Sequence, residues 1–316
     1  MTTATKTATA TRQRRLNLRQ RRILWAYAFL FIPLLFFLVI RIYPTLSAFN
    51  ISLHTWNPLS DQRPFVGLAN YQKLWQELLT PNSVTRKAFE NTLKYVLLGV
   101  PIQLALGLAF ALLLNAIYRF VSVFRMLYFI PFVTSAVAVD WVWRWLYQPD
   151  FGAVNLLLSA FHLPTQRFLF DPNQALLSIV AVVIWQGLGF TIIIFLAGLQ
   201  GVPVHLYEAI ALDGGGGWQK FRHITLPMMS PIIFFNVVTG VVAAVQSFHQ
   251  AYLMTSGGPN NGSTFIVYYL YQTAFTKGQM GYASALAWVV FILCALVTGA
   301  LFKWAKQWVH YSMESR

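Results

Sequence analysis

The chain has 316 residues, of which 57% are hydrophobic and only 10% charged, and its formal net charge is +14. Soluble domains carry about 25% charged residues, so this composition excludes an ordinary soluble protein and points to a single membrane bundle. The positive charge does not argue for nucleic acid, because the basic residues sit at the amino terminus and between apolar runs, where they orient a membrane protein.

Residues 1–22 join a Thr/Ala tract to a basic cluster of Arg12, Arg14, Arg15, Arg19, Arg21 and Arg22. The expectation is a disordered cytoplasmic tail. A signal peptide is the competing reading, but the apolar run 23–40 is too long for one and no small-x-small cleavage site follows. A helix needs about 20 apolar residues to cross a bilayer. Spans are therefore predicted at about 23–44, 93–116, 126–147, 176–199, 229–251 and 282–303. The fold class is an all-α integral membrane protein with six transmembrane helices. Its expected parts are the tail, a first helix with its outer loop (23–92), a core (93–303) and a second cytoplasmic tail (304–316). Lys and Arg divide 14 to 7 in favour of the side holding both termini. Most of the seven lie in one long loop, which weighs less, so the termini and the loop 203–231 are expected in the cytoplasm.

Outside the spans, an amphipathic piece lies near 71–79, and Gly257-Gly258-Pro259-Asn260-Asn261-Gly262 forms a strong turn cluster. The apolar segment 265–275 is too short to span and reads as an interfacial helix or gate piece. The lone Cys294 cannot form an internal disulfide.

Catalytic signals are missing. The run Gly214 to Gly217 ends in Trp218-Gln219-Lys220 and is not a phosphate loop, and no zinc-protease, nucleophile-elbow or C-x-x-C pattern occurs. These absences put a membrane-embedded enzyme behind a transporter. An ion-coupled secondary carrier ranks lower too, because paired midplane carboxylates are absent. Asp140 is the only acid inside a predicted span, and Arg144 four residues on is its expected partner. What remains is uncharged polarity: Gln186 beside Gly187, with Phe190 one turn on, and Asn236, Gln246 and Ser247 on the fifth helix. A buried amide in a bilayer needs a partner. Two readings stay open, helix–helix glue or the lining of a pathway for a polar, uncharged solute. In the second, Phe132 and Phe190 would stack on the apolar face of a sugar ring.

The polar island 203–231 has its own pattern. Pro203 opens a short helix with Leu206, Ala209 and Ile210 on one face, and the four glycines stop it. A second stripe at Trp218, Phe221 and Ile224 follows, and Pro227 is expected to break it. Two short amphipathic helices around a glycine hinge read as a docking element for another protein.

This loop resembles the EAA loop of binding-protein-dependent ABC importer permeases, whose pattern is E-A-A, three residues, G, nine residues, then I-x-L-P. Here Glu208-Ala209-Ile210 precedes Gly214, and Ile224, Leu226 and Pro227 follow at full spacing, with Ile210 where the pattern has its second alanine. Asn91-Thr92, Arg125 with Tyr128 to Pro131, and Phe151-Gly152-Ala153-Val154-Asn155 resemble further segments of the family. Thr255-Ser256-Gly257-Gly258-Pro259 and Gly281 to Ala285 resemble its maltose/lactose/glycerol-phosphate group. The resemblance, covering about 25–305, implies a type I importer permease in the inner membrane of a prokaryote. It implies as partners a second permease, two ATPase subunits that hold the ATP and Mg, an extracytoplasmic solute-binding protein and a sugar-like solute, with no cofactor in this chain. It places Leu206, Glu208, Ala209, Ile210, Asp213, Gly214, Trp218, Phe221, Ile224 and Pro227 in ATPase docking. It implies a rocking, alternating-access cycle around a solute site near the midplane.

Overall fold

The computed structural model describes residues 17–60, 62–116 and 121–310, apart from the side chains of Val121, Ser122 and Arg125. Among the described residues the structure is helical, with one isolated bridge between His54 and Phe65. The chain clusters into two compact units, one ending at Asn50 and the other beginning at Ile51. The first contains nearly all of α1 (Leu18–Ser52), a helix that runs well past both ends of the predicted span. Its backbone loosens to a π-turn at Leu38–Ile42.

The second unit begins with α2 (Ala69–Leu79), the amphipathic piece expected there, and α3 (Val84–Asn115). Ser83 caps α3 by accepting a 3.1 Å hydrogen bond from the Arg86 amide. The expected third span is broken. Instead of one helix over 126–147, α4 (Val121–Val133) and α5 (Ala136–Leu146) meet at a bend of 103°. Thr134 and Ser135 lie between the two helices, and Ser135, at φ −52° and ψ 125°, leaves the helical region as the cap residue of α5. Then follow α6 (Ala153–Ala160), α7 (Ala175–Gln200), α8 (Val204–Leu212) and α9 (Gly217–Val245). The last elements are α10 (Ile266–Tyr271) and α11 (Met280–Trp308).

Three further expectations are corrected. Pro227 does not break the helix that starts at Gly217. A π-turn at Phe221–Thr225 precedes it, with the Leu226 amide reaching back to the Phe221 carbonyl. Widening the turn by one residue leaves room for a proline ring that brings no N–H of its own. The helix then ends at Val245 rather than near 251. The segment 265–275 is no interfacial helix: Phe265, Ile266, Tyr268 and Tyr269 are at most 5% exposed. Ile266 and Tyr269 pack with Leu74, Ala88, Tyr282 and Leu286 in one cluster joining α2, α3, α10 and α11.

The middle of the unit is α7, where Ile179, Val182, Ile192 and Phe195 are essentially inaccessible. α3, α4 and α9 pack around it. Close approach rests on glycine: Gly107 of α3 faces the Thr191 side chain, Gly198 faces Ile232 of α9, and Gly189 meets the carbonyl of Tyr128 on α4. In lipid, such small-residue contacts replace the hydrophobic drive that water would supply. At the other end, Thr255 to Thr264 forms a knotted turn bound to α3. Asn91 donates to the carbonyls of Asn261 and Thr264 at 2.8 and 3.2 Å, and Thr92 accepts from the Ile266 amide at 3.0 Å. The sequence features Asn91-Thr92 and Thr255 to Pro259, far apart in the chain, thus belong to neighbouring parts of one contact.

Candidate functional site

Two regions bring the expected site residues together: the loop between α7 and α9, and a cavity among α3, α7 and α9. In the loop, α8 ends at Leu212, Asp213 is its cap residue, and Gly214 follows at φ +79°. The Gly214 amide donates to the Ala211 carbonyl at 3.1 Å and the Gly215 amide to the Ile210 carbonyl at 2.7 Å. These two bonds are the paired closure of a Schellman cap, and the left-handed residue inside it favours glycine. Gly216 then caps the start of α9, its amide donating to Gln219 Oε1 at 2.7 Å. Tyr207 and Thr225 share a 3.0 Å hydroxyl bond that ties α8 against α9.

The loop's side chains divide by exposure. Glu208, Ala209, Asp213 and Trp218 are exposed. Glu208 forms no ion pair among the described residues. Leu206, Ile210, Phe221 and Pro227 are half-buried. Ile224, grouped with the docking residues, is only 8% exposed and so anchors α9 rather than offering a surface. Leu212, which the helical stripe did not single out, is the most open apolar side chain here at 89%, with Val204 and Trp218 both at 68%. Its signal was available, since Leu212, six residues after Leu206, falls off the face shared by Leu206, Ala209 and Ile210.

The cavity measures about 560 Å³ and lies in the range of small-molecule sites. Phe132, Gln186, Gly187, Phe190 and Asn236 all line it. Phe132 and Phe190 stack at 5.1 Å between centroids. The bend between α4 and α5 puts Thr134 into the wall, where its carbonyl lies 3.5 Å from Gln186 Nε2. Gln103, Thr191 and Thr239 join the lining, with Gln103 Nε2 donating to Thr191 Oγ1 at 2.9 Å. Asn236 spends its amide N–H on the Ile232 carbonyl at 2.9 Å, leaving its oxygen for other use. None of the lining residues is Asp, Glu, Lys or Arg. The wall therefore presents amides, hydroxyls, aromatic faces and the His249 imidazole, a set that matches uncharged polar groups.

Two expected lining residues fall elsewhere. Gln246 is exposed beyond the end of α9, and Ser247 is buried and donates to Gln250 Oε1 at 2.8 Å. The helix stops at Val245, before both, so they are not on the fifth helix with Asn236 as expected. The predicted Asp140–Arg144 pair is absent as well. Asp140 Oδ2 lies 2.7 Å from His249 Nδ1, and Arg144 donates to the Leu253 carbonyl at 3.0 Å. Gln103, Thr191 and His249 carried no sequence signal of their own, because their place in the wall depends on how three helices and a bend meet.

Comparison with known proteins agrees with this geometry. Residues 94–313 match the family described as binding-protein-dependent transport system inner membrane component. The chain is 35% identical over 291 residues to a probable ABC transporter permease protein, YesP, of Bacillus subtilis, covering 90% of this chain and 92% of that one. It is 31% identical over 283 residues to the multiple sugar-binding transport system permease protein MsmF of Streptococcus mutans, covering 90% and 96%. It is 30% identical over 275 residues to the lactose transport system permease protein LacF of Rhizobium radiobacter, covering 85% and 90%. Among solved structures, a chain of a bacterial ABC transporter involved in import of the acidic polysaccharide alginate superposes with a TM-score of 0.79 at 22% identity, covering 91% of this chain and 96% of that one, which shows a shared fold. With its family match extending over more than half its length and its relatives aligned nearly end to end, the chain belongs to the binding-protein-dependent transport system inner membrane components, the permease subunits of ABC transporters.

Proposed function

We propose that this chain is one of two permease subunits of an ATP-driven importer for a neutral sugar or polyol. It is itself non-catalytic, and ATP and Mg are held by two ATPase subunits on the cytoplasmic side, where both termini lie. An extracytoplasmic binding protein delivers the solute. The sugar class is supported by the named relatives and by a cavity lined with amides, hydroxyls and stacked phenylalanines but no fixed charge.

The observation that carries the coupling proposal is the continuity of α9. It starts at Gly217 in the exposed loop and runs without a break to Val245, putting Asn236, Thr239 and Gly240 into the cavity wall. At 1.5 Å per residue, Trp218 and Asn236 are about 27 Å apart along one rod. A push on the loop when the ATPase subunits close would move the wall directly. Alternating access then needs no relay beyond this helix and the helices packed on it. Glu208, exposed on α8, meets a basic group of the ATPase, and Leu212 and Trp218 fill apolar hollows beside it.

Co-purification through an affinity tag on this chain tests the docking role. Glu208→Lys and Trp218→Ala are expected to lose most of the ATPase subunits while the second permease remains bound. Full recovery of the ATPase subunits with both variants would overturn the assignment of this loop.

A further inference from the structure

The cavity has one wall residue that neither the sugar reading nor the coupling loop explains. His249 lines it, with 39% of its side chain accessible. Behind it Asp140 is completely buried, and Asp140 Oδ2 lies 2.7 Å from His249 Nδ1. His249 makes no other hydrogen bond among the described residues, and Asp140 Oδ1 has no partner there. The two side chains come from parts of the chain brought together by the fold. Asp140 is on α5, the half-helix beyond the 103° bend, and His249 lies two residues before the π-turn Ala251–Thr255 that follows α9. Arg144, one turn from Asp140, is engaged with the Leu253 carbonyl and the Trp141 ring. Nothing on α5 therefore competes for the carboxylate.

A carboxylate bonded to one imidazole nitrogen decides what the other nitrogen offers. Asp140 accepts a proton-mediated bond from Nδ1–H. With the ring neutral, Nε2 is an acceptor; with the ring protonated, Nε2–H is a donor. A hydroxyl group satisfies both states, since it donates and accepts. A solute carboxylate satisfies only the protonated ring, and an ammonium only the neutral one. We propose that His249, held in orientation by Asp140, is a specificity-determining residue of the pathway that hydrogen-bonds a hydroxyl of the passing carbohydrate through Nε2. Asp140 is its positioning residue. This rests on the sugar reading above and adds to it the group that picks out one hydroxyl among the uncharged lining.

The geometry also separates recognition from mere clipping of two helices. In His249→Asn the amide nitrogen reaches the place of Nδ1, so the bond to Asp140 is kept while the far nitrogen is removed. In Asp140→Asn an acceptor for Nδ1–H is kept and the charge is lost. His249→Phe removes both bonds.

The test is uptake of radiolabelled maltose, lactose, trehalose and raffinose by the complete transporter, meaning both permeases, both ATPase subunits and the binding protein. Because the binding protein captures the solute first, KM is expected to stay at the wild-type value. Vmax is expected to fall about 3- to 10-fold in His249→Asn, with the order of preference among the four sugars altered and complex yield unchanged. Asp140→Asn is expected to fall less than His249→Asn at the same KM. The inference is overturned by wild-type Vmax and sugar preference in His249→Asn, whatever His249→Phe does. If His249→Phe alone then loses complex yield, the pair is a helix clip. If the cognate binding protein shows no thermal shift with any member of a panel of neutral mono-, di- and oligosaccharides and polyols, the carbohydrate reading itself is overturned, a result separate from any behaviour of the variants.

Discussion

The four consecutive glycines after α8 are not equivalent, and Gly214→Ala is the variant that shows it. Gly214 sits at φ +79°, and a Cβ added there meets nothing within 4 Å. The cost of alanine is therefore purely that of holding an L-residue in the left-handed region, roughly 1–2 kcal/mol. That cost falls on a cap closed by two bonds, Gly214 N–H to Ala211 and Gly215 N–H to Ile210. It corresponds to an opening of the cap about 5- to 30-fold more frequent. Gly214→Asn is expected to lie between, because asparagine tolerates this region better than other side chains. Gly216→Ala and Gly217→Ala add a Cβ in open space without a left-handed backbone, and they are expected to behave as wild type. Gly215→Ala fails differently, with its Cβ 2.7 Å from both Cγ1 and the carbonyl oxygen of Ile210. Hydrogen–deuterium exchange followed by mass spectrometry on peptides covering 204–217 of the purified transporter reads the cap directly. Exchange at the Gly215 amide should rise by the factor above in Gly214→Ala. An unchanged rate in Gly214→Ala, or equal rates in Gly214→Ala and Gly216→Ala, would refute the reasoning.

Two other positions test the packing that holds the cavity. Gly189→Ala drives a methyl group into the Tyr128 carbonyl, a backbone atom that cannot rotate away, so α4 and α7 must separate. Thermal stability of the purified transporter should drop by the equivalent of about 1–3 kcal/mol, and a wild-type Tm would contradict this contact. Asn91→Leu removes both bonds that Asn91 makes to the carbonyls of Asn261 and Thr264. The Asn261 carbonyl keeps a long 3.4 Å bond from the Thr264 amide, and losing the two side-chain bonds costs about 1–3 kcal/mol. It should speed proteolytic cutting within 255–264, while equal cutting in variant and parent would show that the turn holds itself.

The six apolar runs were legible because a bilayer demands about 20 residues of one character, and composition alone reports that. The turn between α8 and α9 was legible for another reason: its glycine run and the apolar stripes on either side occur within some twenty residues of contiguous chain. The bend at Thr134 and Ser135 was not read, because 126–147 passes as one apolar run despite Asp140 and Arg144, and a hydropathy window cannot see an axis turn by 103°. Its one local trace is Ser135, a residue type common at helix starts, placed just before α5. The partner of Asp140 was misread because spacing along one helix names Arg144, while His249, 109 residues on, becomes a neighbour only through the fold.

Pro227 is the most instructive miss, since it changes how the loop and the cavity relate. Read as a break, it makes α9's first turns a separate short helix on a flexible joint, and any force on Trp218 would be lost there. The π-turn at Phe221–Thr225 removes that joint by taking up the proline within a continuous helix. The only backbone freedom left in the loop lies at Gly214 to Gly216, between α8 and α9. Even there Tyr207 and Thr225 bridge the two helices at 3.0 Å. So the glycines let the chain reverse, while the stiff path runs from Trp218 up α9 to Asn236 and Gly240. An insertion that loosens the α8–α9 turn would leave this path intact. A helix-breaking change between Thr225 and Ile232 would cut it without altering the exposed side chains Glu208, Leu212 and Trp218 or the residues of the cavity wall.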